Sequence, residues 1–153
     1  MITKVIGIIH TPYAEKNQCP IQPVYDSESV GQVEVFEEYE AGLKDIETFS
    51  HIYLFYEFNK SGDVKLVRQP FLDDTEYGIF AIRHPCRPNP IGMSIVKLKK
   101  RTRNILVIEG VDILDKTPLL DIKPYIPAFD LIPEASEGWT ANVKWRPKPA
   151  DRE

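Results

Sequence analysis

Apolar residues along this chain fall into short runs whose period is mostly two. Residues 5–9 form an apolar strand candidate ended by His10-Thr11-Pro12, and residues 31–36 alternate as a strand does when one face lies in a core. The period then changes: Tyr39, Leu43 and Ile46 are spaced by four and three, which predicts one apolar face on a short helix over about 37–47, weakened by Gly42. Residues 51–58 are rich in aromatic and β-branched side chains and read as a central strand covered on both faces. Further strands are predicted at 64–68, 77–82, 94–98 and 105–111, with turn residues between them. Many short strands, one short helix and no strand–helix alternation predict an all-β or mainly β fold, a small closed or partly closed barrel with a short helix and long loops.

Composition narrows the picture. At 153 residues the chain fits one folded unit, read as a barrel body over 1–135 followed by an extension or tail over 136–153. Hydrophobic and charged shares of 42% and 27% are those of a globular protein, and thirteen prolines argue against a bundle of long helices. No apolar run is long enough for a membrane helix, so no membrane partner is expected. Cys19 and Cys86 with no leader-like start point to the reducing cytoplasm, and His10, His51 and His84 lack metal-ligand spacing, so no metal is expected. A net charge of −4 disfavours a long phosphate-neutralising surface, so any contact with nucleic acid should be local. Neither GxGxxG after a first strand nor GxxxxGK[ST] is present, which removes the usual nucleotide cradles.

Two stretches carry candidate chemistry. Arg83-His84-Pro85-Cys86-Arg87-Pro88-Asn89-Pro90-Ile91-Gly92 packs three prolines, two arginines and an asparagine between strands. Each proline fixes its own φ and restricts the residue before it, so Arg87, Asn89 and the backbone around Gly92 would be presented from a stiff frame; the alternative is a merely rigid connection. In the second stretch, 110–127, Asp112 and Asp115 read as turn caps as readily as functional acids, while Asp121, Lys123 and Tyr125 share a face on an extended segment. Gln22 is the polar residue of the long 13–29 loop most suited to being held in place. Lys97, Lys99, Lys100, Arg101 and Arg103 form either a solvated hairpin or a phosphate-contacting patch, and Lys144, Arg146, Lys148 and Arg152 form a second basic group.

Taken together, Phe80-Ala81-Ile82-Arg83, Arg87-Pro88-Asn89-Pro90-Ile91-Gly92-Met93-Ser94 and Leu120-Asp121-Ile122-Lys123-Pro124-Tyr125 resemble the S-adenosylmethionine-dependent tRNA N6-methyltransferases that act on threonylcarbamoyladenosine beside the anticodon. The likeness spans roughly residues 5–133. It implies a β-barrel methyltransferase working as a homodimer, with S-adenosyl-L-methionine as cofactor and the tRNA anticodon loop as partner. Mapped onto this chain, the cofactor contacts would come from Arg83, Pro85, Cys86, Arg87, Asn89, Ile91, Gly92 and Ser94, with Asp115 and Leu119 from the second stretch. Asp121 is the candidate general base and Tyr125 its orienting partner. Gln22, Lys99, Lys100, Arg101 and Lys123 are the candidate tRNA-binding residues. The chain departs from the family pattern at Ile82, at His84-Pro85-Cys86, and at Lys116, where an aspartate or glycine-like residue is common. Two other readings compete: a dimeric β-domain that binds a small anionic ligand or peptide without catalysis, and a methyltransferase for a free metabolite.

Overall fold

The inward-facing residues of six strands close on one another, as the period-two pattern predicts, and the computed structural model describes residues 1–19 and 29–144 of the chain. The strands are β1 (Gly7–His10), β2 (Val30–Val35), β3 (His51–Glu57), β4 (Val67–Arg68), β5 (Tyr77–Gly78), β6 (Ile91–Thr102), β7 (Ile105–Glu109) and β8 (Thr117–Pro124). A closed antiparallel barrel forms in the order β1-β2-β7-β6-β3-β8, with β8 returning to β1, while β4 and β5 form a separate two-stranded sheet. Closure leaves the barrel no unpaired edge.

Ile9, Val33, Val35, Ile52, Leu54, Val96, Leu106, Ile108 and Leu119 fill the interior and are essentially inaccessible to solvent. Burying a side chain of this kind contributes about 1.5–3 kcal/mol, so the alternation in sequence specifies the register strongly. Tyr39, Leu43 and Ile46 pack on this core as their spacing predicts, but through 3-10 turns at Glu37–Leu43 and Ile46–Thr48 in place of the expected α-helix. Asp45 lies between them at φ 68°, a left-handed residue that a continuous helix cannot contain. Among the described residues one short α-helix, α1, forms at Pro127–Asp130.

Further expectations need correction, among them the run at 64–68, which is a strand only at β4. In β3, Ile52, Leu54 and Tyr56 point into the barrel, whereas Tyr53 and Phe55 are half-buried on its outer face, so the chain does not cover the strand fully on both sides. The run expected at 77–82 is a strand only at β5, after which Ile79–Ala81 turn as a 3-10 helix. Strand β6 is longer than predicted at both ends, because Ile91–Met93 pair with Phe55–Glu57 and Lys100–Thr102 pair with Ile105–Val107. Its outward residues Ile91, Met93 and Ile95 are exposed and lie beside Phe55 and Tyr53, forming an apolar strip on the barrel's outside.

Candidate cofactor and substrate cavity

The proline-rich loop is held by its own backbone as well as by its prolines. Arg87 N–H donates to the Pro85 carbonyl at 2.8 Å and Ile91 N–H to the Asn89 carbonyl at 2.7 Å, two tight three-residue turns. Cys86 N–H donates to His84 Nδ1 at 3.1 Å, and Phe58 N–H ties the end of β3 to the Pro90 carbonyl at 2.7 Å. Cys86 is buried beneath the loop, while Arg83, Pro85, Arg87 and Asn89, with the largely buried His84, line a cavity of about 1100 Å³. Arg87 donates through one guanidinium nitrogen to the Ile82 carbonyl at 2.9 Å and lies 5.9 Å from the centre of the Phe80 ring.

The opposite wall comes from the segment after β7. Gly110, at φ 80°, turns the chain, and Ser29 holds the turn by donating to the Val111 carbonyl and accepting the Val111 N–H. Val111 and Ile113 are thereby buried on the barrel end, and Asp112, between them, points to the start of β6. Ser94 Oγ donates to Asp112 Oδ1 at 2.5 Å, and the Tyr56 hydroxyl lies 2.9 Å from Ser94 Oγ.

Burial pushes the Asp112 carboxyl up to about 7, against the opposing pull of the Ser94 hydrogen bond and the positive charge of Arg83. Burial, with the Asp112 charge adding to it, drives the Tyr56 phenol upward as well. Tyr56 therefore keeps its proton. With the Ser94 hydrogen given to Asp112, the three form a directional relay from Tyr56 through Ser94 to a carboxyl on the cavity wall.

A third wall lies beyond the barrel. Trp139 stacks on Tyr77 with ring centres 4.5 Å apart and planes 17° from parallel, and its indole N–H donates to the Ala81 carbonyl at 2.8 Å. These contacts bring Ser136, Glu137 and Thr140 to the cavity, so the start of the segment read from sequence as a tail is part of the site.

Six of the residues singled out in sequence line the cavity: Arg83, Pro85, Arg87, Asn89, Ile91 and Gly92. Cys86 supports the loop from beneath, Ser94 is buried and donates to Asp112, and Leu119 is barrel core. Asp115 accepts the Thr11 N–H at 3.0 Å and lies 3.9 Å from His10, whose other ring nitrogen is 3.0 Å from Glu34. Asp121 is on the outer face of β8, paired with Lys123 at 2.9 Å, and Tyr125 packs its ring against Tyr53 and His51 there.

Lys99 pairs with Glu109 at 3.3 Å, and Arg101 pairs with Glu47 at 2.9 Å while also donating to the Leu43 and Arg103 carbonyls. Lys100 is exposed in the same hairpin. At about 3.3 Å per residue this basic group lies roughly 26 Å along β6 from Gly92. Gln22, and Arg146, Lys148 and Arg152 of the second basic group, fall outside the described residues.

Sequence reasoning did not single out Tyr56 or Trp139 and left Asp112 open between a turn cap and a functional acid. The available signal was Asp112's place between Val111 and Ile113, two apolar residues that alternate around an acid. Among the described residues no cluster of His, Cys, Asp and Glu could hold a metal, and no helix is long and apolar enough to cross a membrane.

Residues 8–131 match the family model described as the tRNA-methyltransferase O N-terminal domain. A probable S-adenosyl-L-methionine-binding protein of Pyrococcus abyssi is 52% identical over 134 residues, 88% of this chain and 73% of that protein. The tRNA (adenine(37)-N6)-methyltransferase of Escherichia coli is 36% identical, over 90% of this chain and 63% of that protein. A crystal structure of TrmO superposes with a TM-score of 0.79 at 34% identity, covering 90% of this chain and 63% of that one. This chain thus spans less than two thirds of the named methyltransferases it matches. Their shared barrel and the matched stretch from β1 to α1 lead to one assignment: the chain belongs to the tRNA-methyltransferase O N-terminal domain family.

Proposed function

We propose that this chain is an S-adenosylmethionine-dependent methyltransferase acting on tRNA, with N6 of threonylcarbamoyladenosine at position 37 as the acceptor. The observation that carries this reading is the cavity between the proline-locked loop and Asp112, formed by a chain of this family. Its lining suits the cofactor: Arg87 for the carboxylate, Glu57 for the ammonium or a ribose hydroxyl, and Phe58, Ile113 and Leu114 for the adenine. Ligand pockets commonly run to about 300–1,000 Å³, so the volume leaves room for an acceptor group as well. When bound, the cofactor supplies an electrophilic methyl carbon on a sulfonium centre.

The work left to the chain is mainly to hold the acceptor in line, which can supply much of the rate enhancement. The acceptor nitrogen belongs to a urea-like group and is a weak nucleophile, so its proton must leave during or after attack. Asp112, with a carboxyl near 7 and Oδ1 engaged by Ser94, can take a proton on its other oxygen at neutral pH. Two carboxylates have to be recognised, one on the cofactor and one on the threonylcarbamoyl group, and two guanidinium groups, Arg83 and Arg87, face the cavity.

In this reading the chain works as a homodimer through the outer strip of β6 and β3, which places Asp121, Lys123 and Tyr125 at the subunit boundary. Cys19 and Cys86 form no disulfide, which suits the cytoplasm.

The test is calorimetric titration with S-adenosylmethionine and S-adenosylhomocysteine, followed by methyl transfer to tRNA with and without the threonylcarbamoyl group. Micromolar binding, with S-adenosylhomocysteine formed only on the modified tRNA, is the expected result. A folded chain that binds neither ligand, with tRNA absent or present, removes the enzyme reading. Equal turnover on unmodified adenosine removes the threonylcarbamoyl reading alone.

A further inference from the structure

Phe80 is the most exposed aromatic ring on the cavity rim, at 78%. Its backbone is nevertheless fixed on both sides. Ile79 before it is buried at 1% exposure and donates its N–H to the Leu66 carbonyl at 2.9 Å, and the carbonyl of Ala81 after it accepts the Trp139 indole at 2.8 Å. Arg87, anchored on the Ile82 carbonyl, lies against the ring at 5.9 Å from its centre. The fold thus holds a large apolar ring in water and braces it with a cation, an arrangement that leaves a π surface ready for a flat ligand.

Trp139 does not offer the same surface, because its ring is already stacked on Tyr77. Phe71 and Phe58, also on the cavity wall, pack edge-on or tilted against His84 and Tyr56. Stacking also suits the chemistry, since a base held by its face keeps its edge, and so its exocyclic nitrogen, free to enter the cavity.

We propose that Phe80 is the platform on which the acceptor adenine stacks, with Arg87 bracing the ring. This rests on the methyltransferase reading and deepens it by assigning the acceptor subsite. Loss of the ring should weaken acceptor binding by about 10-fold, equivalent to about 1.4 kcal/mol, and leave cofactor binding unchanged.

The experiment uses the full chain loaded with S-adenosylhomocysteine and an anticodon stem-loop RNA that carries threonylcarbamoyladenosine. Affinity for this RNA is measured by fluorescence anisotropy, alongside steady-state methyl transfer, for wild type and for Phe80→Ala, Phe80→Leu and Phe80→Trp. The expected result is a 10-fold rise in both Kd and KM for Ala and Leu, restoration by Trp, and an unchanged cofactor Kd and oligomeric mass in all. A Leu variant that behaves as wild type overturns the platform, because apolarity without a π face would then suffice. Weakened cofactor binding, or a change in mass on light scattering, also overturns it by assigning the ring to the cofactor or to a subunit contact. A wild-type chain that methylates tRNA while Phe80→Ala is unaffected defeats the platform alone, whereas a wild-type chain that neither binds cofactor nor methylates defeats both readings.

Discussion

Asp112 is the residue whose environment has the largest consequence for the chain's behaviour. Its carboxyl is lifted from the ordinary range to about 7, chiefly by burial. Below about pH 4 both folded and unfolded chains hold the proton, and nothing is lost. Between pH 4 and 7 the unfolded chain releases it while the folded chain keeps it, so stability falls as pH rises and stays lowered above 7. A shift of this size is worth on the order of 4 kcal/mol. Asp112→Asn, which removes the titration, should gain on the order of that amount over wild type between pH 4 and pH 8, measured by urea unfolding at both ends. A stability gap that does not change with pH would show that the carboxyl is not desolvated. Lys116 carries a different message: it adopts φ 62° between β7 and β8, a conformation glycine takes without strain, which gives a backbone reason for the glycine-like residue the family pattern favours there.

At the scale of elements, the meeting of β3 and β6 sets the cavity floor. Gly92 faces Tyr56 across that pair, and a Cβ added to it would sit 2.8 Å or less from three carbon atoms of the Tyr56 ring. Gly92→Ala should therefore cost about 1–3 kcal/mol and displace the Tyr56 hydroxyl from Ser94, to be checked by thermal unfolding and by cofactor affinity. Wild-type values for both would mean that the two strands part freely at this point. The β6–β7 hairpin shows the limit of reading charge from sequence. Five cations within seven residues read either as a solvated hairpin or as a phosphate patch, and Lys99 and Arg101 pair with Glu109 and Glu47, one from the neighbouring strand and one from the turn below. Pairing across strands cannot be read from spacing along one of them. The proline-rich loop was legible because its stiffness is local chemistry, and the structure turns six of the singled-out residues of that stretch toward the cavity.

At the scale of the whole molecule, an apolar strip lies on the outside of the barrel among the described residues, formed by Met93 and Ile95 of β6 beside Phe55 and Tyr53 of β3. Exposed clusters of this kind mark association surfaces. Phe55→Glu combined with Ile95→Lys should halve the particle mass measured by light scattering, with the far-ultraviolet circular dichroism of the barrel retained. A wild-type chain that is monomeric at tens of micromolar would remove the dimer.

What the sequence determined by itself is what depends on near neighbours. Alternating apolar residues dictate short strands with one buried face, the prolines dictate a rigid loop, and the motifs around Arg87 and Asp121 carry the family likeness. Tertiary structure decided which acid meets the cavity. Asp121 follows Leu119 by two and should share its inward face, but the register of β8 on β3 slips at Leu120: Tyr56 pairs with Leu119 and Phe55 with Asp121, so one residue of β8 is unmatched. That bulge turns Asp121, Lys123 and Tyr125 together to the outside, preserving their common face while reversing its direction. Asp112 reaches the cavity through contacts with residues 18 positions away at Ser94 and, beyond it, with Tyr56, which is 38 positions from Ser94. Barrel closure creates that proximity, because desolvation and hydrogen bonding depend on what the fold brings together in space.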